Sequence, residues 1–260
     1  MPVEIWSTIK AEISEQIMHE PVLASFLSKR VHQHDNLESA ISDLLASKLA
    51  SDDVPVSTLR QLFLEAFSAD DNLIQAVLND LIATKQRDPA VRAHADIMLY
   101  FKGFQAMQAY RVANWLWRQG RENLALYLQS LISEVFAVDI HPAAKIGSGI
   151  MVDHATGIVI GETCVLEDNI SIMQGVTLGG TGNESGDRHP KIKSGVLIGS
   201  SAQILGNVSI GEGAKVGAGS VVLDDVAPHT TVAGIPAVMV GKPRADQPAL
   251  DMDHDLNSPS

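Results

Sequence analysis

Two different periodicities divide this chain. In the first half, apolar residues return at helical spacing. Ile5, Ile9, Ile13 and Ile17 form one stripe, and Leu37, Ile41, Leu44, Leu45 and Leu49 form another, with Asn36 placed as its N-cap. Leu59, Leu62, Phe63 and Phe67 follow Ser57, and Leu73 to Ile82 follow Asp70-Asp71. Pro21 is read as the first residue of a helix, and Asp88-Pro89 as an N-cap with its first helical residue. Pro89 to Gly120 reads as helix with a break near Gly103, and a last helix runs from about Arg121 to Phe136. Short amphipathic helices of this kind pack into a bundle, which serves as scaffold or oligomerisation domain.

The second half keeps a six-residue beat. It runs Ile140, Ile146, Val152, Ile158, slips by two to Ile160, Leu166, Ile172, Leu178, then resumes at Ile192, Ile198, Ile204, Ile210, Val216 and Val222. Neither a helix nor an ordinary amphipathic strand has that period. It marks hexapeptide coils of a parallel β-helix, in which residues about 18 apart stack. The residue four beyond each beat also points inward: Ala144, Ile150, Thr156, Cys164, Ile170, Val176, Val196, Ala202, Val208, Ala214, Ser220 and Val226. Cys164 is therefore a core thiol rather than a nucleophile. Between Leu178 and Ile192 the beat is delayed by a polar loop, and loops inserted in a solenoid gather on one face, often the binding face.

The chemistry-bearing residues interrupt this beat. His154 is the candidate general base, because a neutral imidazole is available near neutral pH. Asp139, close to one coil earlier, is the candidate orienting carboxylate; a structural histidine is the alternative. Asp153 suits an ammonium or a solvated position, and Arg188-His189 on the loop suits a carboxylate ligand or a solvated one. Gly179-Gly180-Thr181-Gly182 lacks the Lys-Ser/Thr ending of a phosphate loop, so nucleotide hydrolysis is excluded.

Composition narrows the partners. A formal net charge of -12 argues against nucleic acid and anionic membrane surfaces. One cysteine leaves no intrachain disulfide and fits a reducing, cytoplasmic setting. The first residues lack the basic-then-apolar pattern of a secretory signal, and no apolar run approaches the ~20 residues of a membrane span.

Four runs carry a resemblance: Asp139-Ile140-His141-Pro142-Ala143-Ala144-Lys145-Ile146-Gly147, Asp153-His154-Ala155-Thr156-Gly157-Ile158, Val176-Thr177-Leu178-Gly179-Gly180-Thr181-Gly182 and Gly186-Asp187-Arg188-His189-Pro190-Lys191. With Arg87-Asp88-Pro89-Ala90 and Tyr100-Phe101-Lys102-Gly103-Phe104 through Trp115-Leu116-Trp117 in the helical half, the sequence resembles the serine O-acetyltransferase family over roughly residues 1 to 250. The resemblance implies an α+β chain: an α-helical oligomerisation domain (1–138), a left-handed parallel β-helix (139–241) and a flexible tail (242–260). Periodicity alone leaves the right-handed crossover rule standing; the left-handed sense is implied by the family.

The family's reaction moves an acetyl group from acetyl-CoA, a co-substrate and not a resident cofactor, to the hydroxyl of L-serine. The resemblance implies that His154 is the base and Asp139 orients it. Asp88 and Asp153 would hold the amino group, and Arg188 and His189 the carboxylate. Gly180, Thr181, Ser200 and Ala218 would contact coenzyme A, with Lys215 and Lys242 as phosphate partners. It also implies trimers paired into a hexamer, sites between subunits, and inhibition by L-cysteine in the serine site. The resemblance also implies a possible complex with O-acetylserine sulfhydrylase; the tail Asp251-Met252-Asp253-His254 continues to Asn257-Ser258-Pro259-Ser260 without the terminal isoleucine that many family tails carry, which places that complex in doubt. Alternatives in the same fold are another acceptor, such as a sugar, or a zinc carbonic anhydrase, which needs three converging imidazoles.

Overall fold

The computed structural model describes residues 2–182 and 185–256. The helical half contains α1 (Pro2–His19), α2 (Ala24–Leu27), α3 (Leu37–Leu49), α4 (Val56–Ala69), α5 (Asp71–Arg87), α6 (His94–Tyr100), α7 (Lys102–Arg118) and α8 (Glu122–Phe136). Asn36 caps α3 as its position predicts, accepting from the Ser39 amide at 2.9 Å, and Asp70 caps α5 through the Asn72 amide at 3.1 Å. Pro21 opens a helical run at its first position, as read: a 3-10 turn (Pro21–Leu23) leads directly into α2 and then a π segment (Ser28–His32).

Two boundaries differ from the sequence reading. Asp88 ends α5 instead of starting a helix; its Oδ1 accepts from the Ala90 amide at 2.8 Å, a local turn. Pro89 disfavours helical backbone at Asp88, so the chain turns there and resumes at His94. The break expected near Gly103 falls at Phe101, between α6 and α7. Gly103 lies inside α7, where a Cβ would stand 2.2 Å from the Val152 carbonyl oxygen. The glycine is there to let the helix touch the first coil.

From Val138 onward, strands β1 to β15 wind into a three-faced parallel prism. The first face stacks β1 (Val138–Ile140), β4 (Ile158–Ile160), β7 (Thr177–Gly179), β10 (Gln203–Leu205) and β13 (Val221–Val222). The second stacks β2 (Lys145–Ile146), β5 (Val165–Leu166), β8 (Lys191–Ile192) and β11 (Ser209–Ile210). The third stacks β3 (Met151–Val152), β6 (Ser171–Ile172), β9 (Leu197–Ile198), β12 (Lys215–Val216) and β14 (Thr231–Gly234), closed by antiparallel β15 (Ala237–Gly241).

The register shows where the beat is altered. Met151 pairs with Ser171, a step of 20, which absorbs the two-residue slip. Val165 pairs with Lys191, a step of 26, because the loop adds eight residues to the ordinary 18 of Leu197 to Lys215. The beat residues face inward and are buried, except half-buried Ile146. Each buried Ile or Val contributes roughly 1.5–3 kcal/mol.

Cys164 is buried in this core, and burial pushes its thiol up to about 12. Iodoacetamide at pH 8 should therefore leave it unmodified in the native protein and label it on unfolding. Rapid native labelling, read by mass spectrometry, would contradict the burial.

Thr156 departs from expectation: it is exposed, and Ala155 takes the inward place. His154 and Ala155 adopt left-handed backbone, at φ 54 and 63, and Gly157 follows at φ 79, so the turn rotates by one residue.

The outward side of the third face is covered by α5, α7 and the C-terminal segment. Asp80 of α5 is fully buried at this junction. It accepts from Arg111 Nη2 at 2.7 Å, Gln108 Nε2 at 3.0 Å and the Ile150 amide at 2.9 Å, while Arg111 also donates to the Gly147 carbonyl at 2.8 Å. Arg87 reaches Ser171 Oγ at 3.2 Å. Helices and first coils thus share one polar clamp within a continuous apolar core.

The tail, expected to be flexible from residue 242, is packed through residue 256. The helical turn α9 (Pro248–Asp251) buries Ala249, whose carbonyl accepts from Ser171 Oγ at 2.7 Å and whose amide donates to Gly195 O at 3.2 Å. Small and polar outward residues on the third face leave room for it, which the tail's polar composition does not reveal. Asn257 to Ser260 lie outside the described residues. Among the described residues no helix is long and apolar enough to cross a membrane.

Candidate active site

His154 sits where the third face turns into the first, at the end of the prism that α7 closes. Lys102 at the start of α7 donates to the Thr156 hydroxyl, fixing that turn. The imidazole itself is unpacked, with 71% of its side chain exposed. Its polar partner is Asp153, at 3.7 Å from Nε2. Asp139 does not reach it within one chain: that carboxylate accepts from Gln129 Nε2 at 2.7 Å. Asp139 points outward from the middle of β1, the end strand of the first face, and pairs with Val159 just after the turn that carries His154.

The same edge carries two of the residues assigned to coenzyme A. Ser201 donates to Gln174 O and Gly219 to Ser200 O, each at 2.8 Å, and Gly175 donates to Thr156 O at 2.9 Å. Register places Gln174, Ser200 and Ala218 at one stacked corner position, following on from the His154 turn. Gln174 was absent from the sequence reading. The signal for it was spacing, since it lies 26 residues before Ser200, the step that the loop imposes on this coil.

Arg188 and His189 occupy the other edge, where the first face turns into the second. Thr163, also missed, holds both. Its hydroxyl accepts from the Arg188 and His189 amides at 3.1 Å each and lies 2.9 Å from His189 Nδ1. The Thr163 amide donates to His189 Nδ1 at 3.2 Å, so the neutral ring carries its proton on Nε2. Burial, then the Arg188 cation, lowers the His189 pKa, with Glu162 opposing; the ring is a neutral donor at neutral pH. Arg188 pairs with Glu162 at 2.7 Å, and that hydrogen bond holds the Glu162 carboxyl below the usual carboxylate range. A carboxylate ligand would compete with Glu162 for the guanidinium.

The remaining assignments scatter. Asp88 follows Arg87, which bonds β6, so it lies on the side of the third face, as does Asp153 at the end of β3. Gly180 packs on Arg188 at the base of the loop, and Thr181 contacts Gly206. Lys242 is exposed. Lys215 differs from expectation: it is 3% exposed, donates to Asp255 O at 2.6 Å and lies 3.9 Å from Asp253. The docked tail occupies the ammonium that was assigned to a phosphate. His254 of the tail is exposed but lies near this cation and Asp153, and desolvation, then the Lys215 cation, lowers its pKa.

One chain therefore places the exposed imidazole of His154 at the head of one edge and Arg188 with His189 on another, with the first face between them. The arrangement suits proton abstraction beside a bound anion once two edges are brought together.

Comparison with known proteins decides the family. Residues 5–109 match the model described as serine acetyltransferase, N-terminal, and residues 189–224 match the bacterial transferase hexapeptide repeat. A serine acetyltransferase of Salmonella typhimurium is 55% identical over 99% of this chain and 96% of its own length. The chain belongs to the serine acetyltransferase family. The solved enzyme of Vibrio cholerae superposes with a TM-score of 0.98 at 56% identity, covering 99% of this chain and 100% of its own. A serine acetyltransferase in complex with cysteine gives 0.95 at 51% identity, over 98% and 99%. The Brucella abortus enzyme in complex with coenzyme A gives 0.90 at 49%, over 92% and 96%. Family and fold agree from helical bundle to prism.

Proposed function

We propose that this chain transfers the acetyl group of acetyl-CoA to the hydroxyl of L-serine, with His154 as the general base. His154 removes the hydroxyl proton as the serine oxygen attacks the thioester carbonyl carbon. The tetrahedral intermediate collapses, the C–S bond breaks, and the imidazolium returns its proton to the leaving thiolate. O-acetyl-L-serine and coenzyme A leave, so atoms and charge balance without a resident cofactor.

The observation that carries this reading is the exposed imidazole of His154 at the head of an edge on which Ser200 and Ala218 stack. Asp153 and Asp88 take the serine ammonium, and Arg188 with the Nε2–H of His189 takes its carboxylate. The two edges of one chain lie apart, so the site is completed by a neighbouring protomer laid against the first face. Its His154 edge then meets Asp139, Arg188 and His189; three such contacts close a trimer, and the helical halves pair trimers into a hexamer. Gly180, Thr181, Ser200 and Ala218 line the coenzyme groove. Lys242 is open to a phosphate, and Lys215 becomes so when the tail leaves. L-Cysteine shares the serine backbone and occupies the same groups. The single cysteine fits a cytoplasmic setting. The family match outweighs a sugar acceptor or a zinc hydratase.

Thiol release from acetyl-CoA tests the reaction. It should depend on L-serine and fall with added L-cysteine; release no faster with serine than with a galactoside would refute the assignment. Arg188→Ala should raise the serine KM about tenfold or more and weaken cysteine inhibition together, since a charge-assisted bidentate contact is lost from both ligands. A change in one without the other would separate the two sites.

A further inference from the structure

We infer that the side-chain amide of Gln174 binds the pantetheine arm of the acyl donor, pairing with the amide nearest the sulfur. The inference rests on the proposed acetyl-CoA reaction and adds a donor contact to it.

Three observations converge on this residue. The first is direction. The His154 turn lies at the end of the prism sealed by α7, where even a Cβ on Gly103 would strike Val152. An elongated donor with its thioester at His154 can extend only away from the helices, along the corner that presents Gln174, then Ser200, then Ala218.

The second is distance. Neighbouring coils are about 4.8 Å apart. Gln174 stands one coil from the His154 turn. In the donor, two methylenes separate the sulfur from the first amide nitrogen, a reach of about 4 Å with ordinary bond lengths. A thioester held at the first coil therefore places that amide at the level of Gln174.

The third is an unmet bonding capacity. Gln174 Oε1 is buried without a hydrogen-bond partner, while the residue as a whole is half-buried at the corner. A buried acceptor left unpaired is costly and calls for a partner. The next glutamine on the adjoining face, Gln203, is satisfied, donating to Gly175 O at 3.3 Å. Gln174 can turn about its terminal torsion, which is broad, to accept the arm's N–H.

The test uses the full chain and coenzyme A as the probe, with Gln174→Leu and Gln174→Glu beside the native protein. Calorimetry should show coenzyme A binding weakened about three- to tenfold in the leucine variant, the scale of one hydrogen bond exchanged with water. The acetyl-CoA KM should rise by the same factor while the serine KM and Tm stay put. The glutamate variant keeps an acceptor oxygen and should bind coenzyme A more tightly than the leucine variant. Unchanged binding in the leucine variant overturns the inference. So does parallel loss in both variants with a lowered Tm or altered oligomeric mass, which would make Gln174 a structural or subunit-contact residue. Native protein that binds coenzyme A but does not acetylate serine would refute the proposed acceptor and leave this contact standing.

Discussion

Replacing His154 with asparagine is expected to lower kcat with serine by at least ~10²-fold, the lower bound for losing a general base. Asparagine is the cleaner substitution here. The residue holds φ 54, a left-handed conformation that asparagine tolerates and alanine resists. The imidazole is largely exposed, and among the described residues its ion-pair partner is Asp153, so its removal takes little from packing. Coenzyme A affinity and Tm should stay close to native values, and the loss should appear in kcat rather than in either KM. Thiol release at saturating substrates measures it. A folded variant turning over within about threefold of the native rate would show that another group takes the proton.

The largest effect on stability is expected at Arg111. Arg111→Met leaves the Asp80 carboxylate fully buried, hydrogen-bonded by Gln108 and the Ile150 amide and with the Arg87 cation as its remaining opposite charge. Breaking a buried ion pair by removing one partner costs roughly 3–5 kcal/mol. For a chain of this size that is a fall in Tm on the order of 10 °C. Pairing it with Asp80→Leu removes the stranded charge and should recover part of the loss. Scanning calorimetry of both variants distinguishes a charge effect from a packing effect; a double variant less stable than the single one would favour packing.

The prism was legible because its period is unusual. Every beat residue from Ile158 onward faces the core, and both the slip and the eight-residue loop reappear as coil steps of 20 and 26. Thr156 was misplaced because a period says nothing about a turn built from two consecutive left-handed residues. Asp88 was misread because an aspartate before proline serves a helix start and a local turn equally well. The tail was misread because its docking depends on small and polar residues of a distant face, Ser171 and Lys215, rather than on its own hydrophobicity. The site divides in the same way. His154, Arg188 and His189 stand out as chemistry interrupting a beat. Thr163 and Gln174 are ordinary polar residues, and only stacking reveals what lies beside them.

The two ends of the prism differ, and the difference sets a limit. At one end α7 and α8 lie against the first coil. At the other, β15 reverses direction against β14 and ends the parallel winding of the third face. The number of rungs between these two stops is fixed by the polypeptide, and so is the longest straight molecule that can lie along one corner while reaching the imidazole. Adding or deleting one rung would lengthen or shorten that corner by about 4.8 Å, with no change in the residues of the His154 turn.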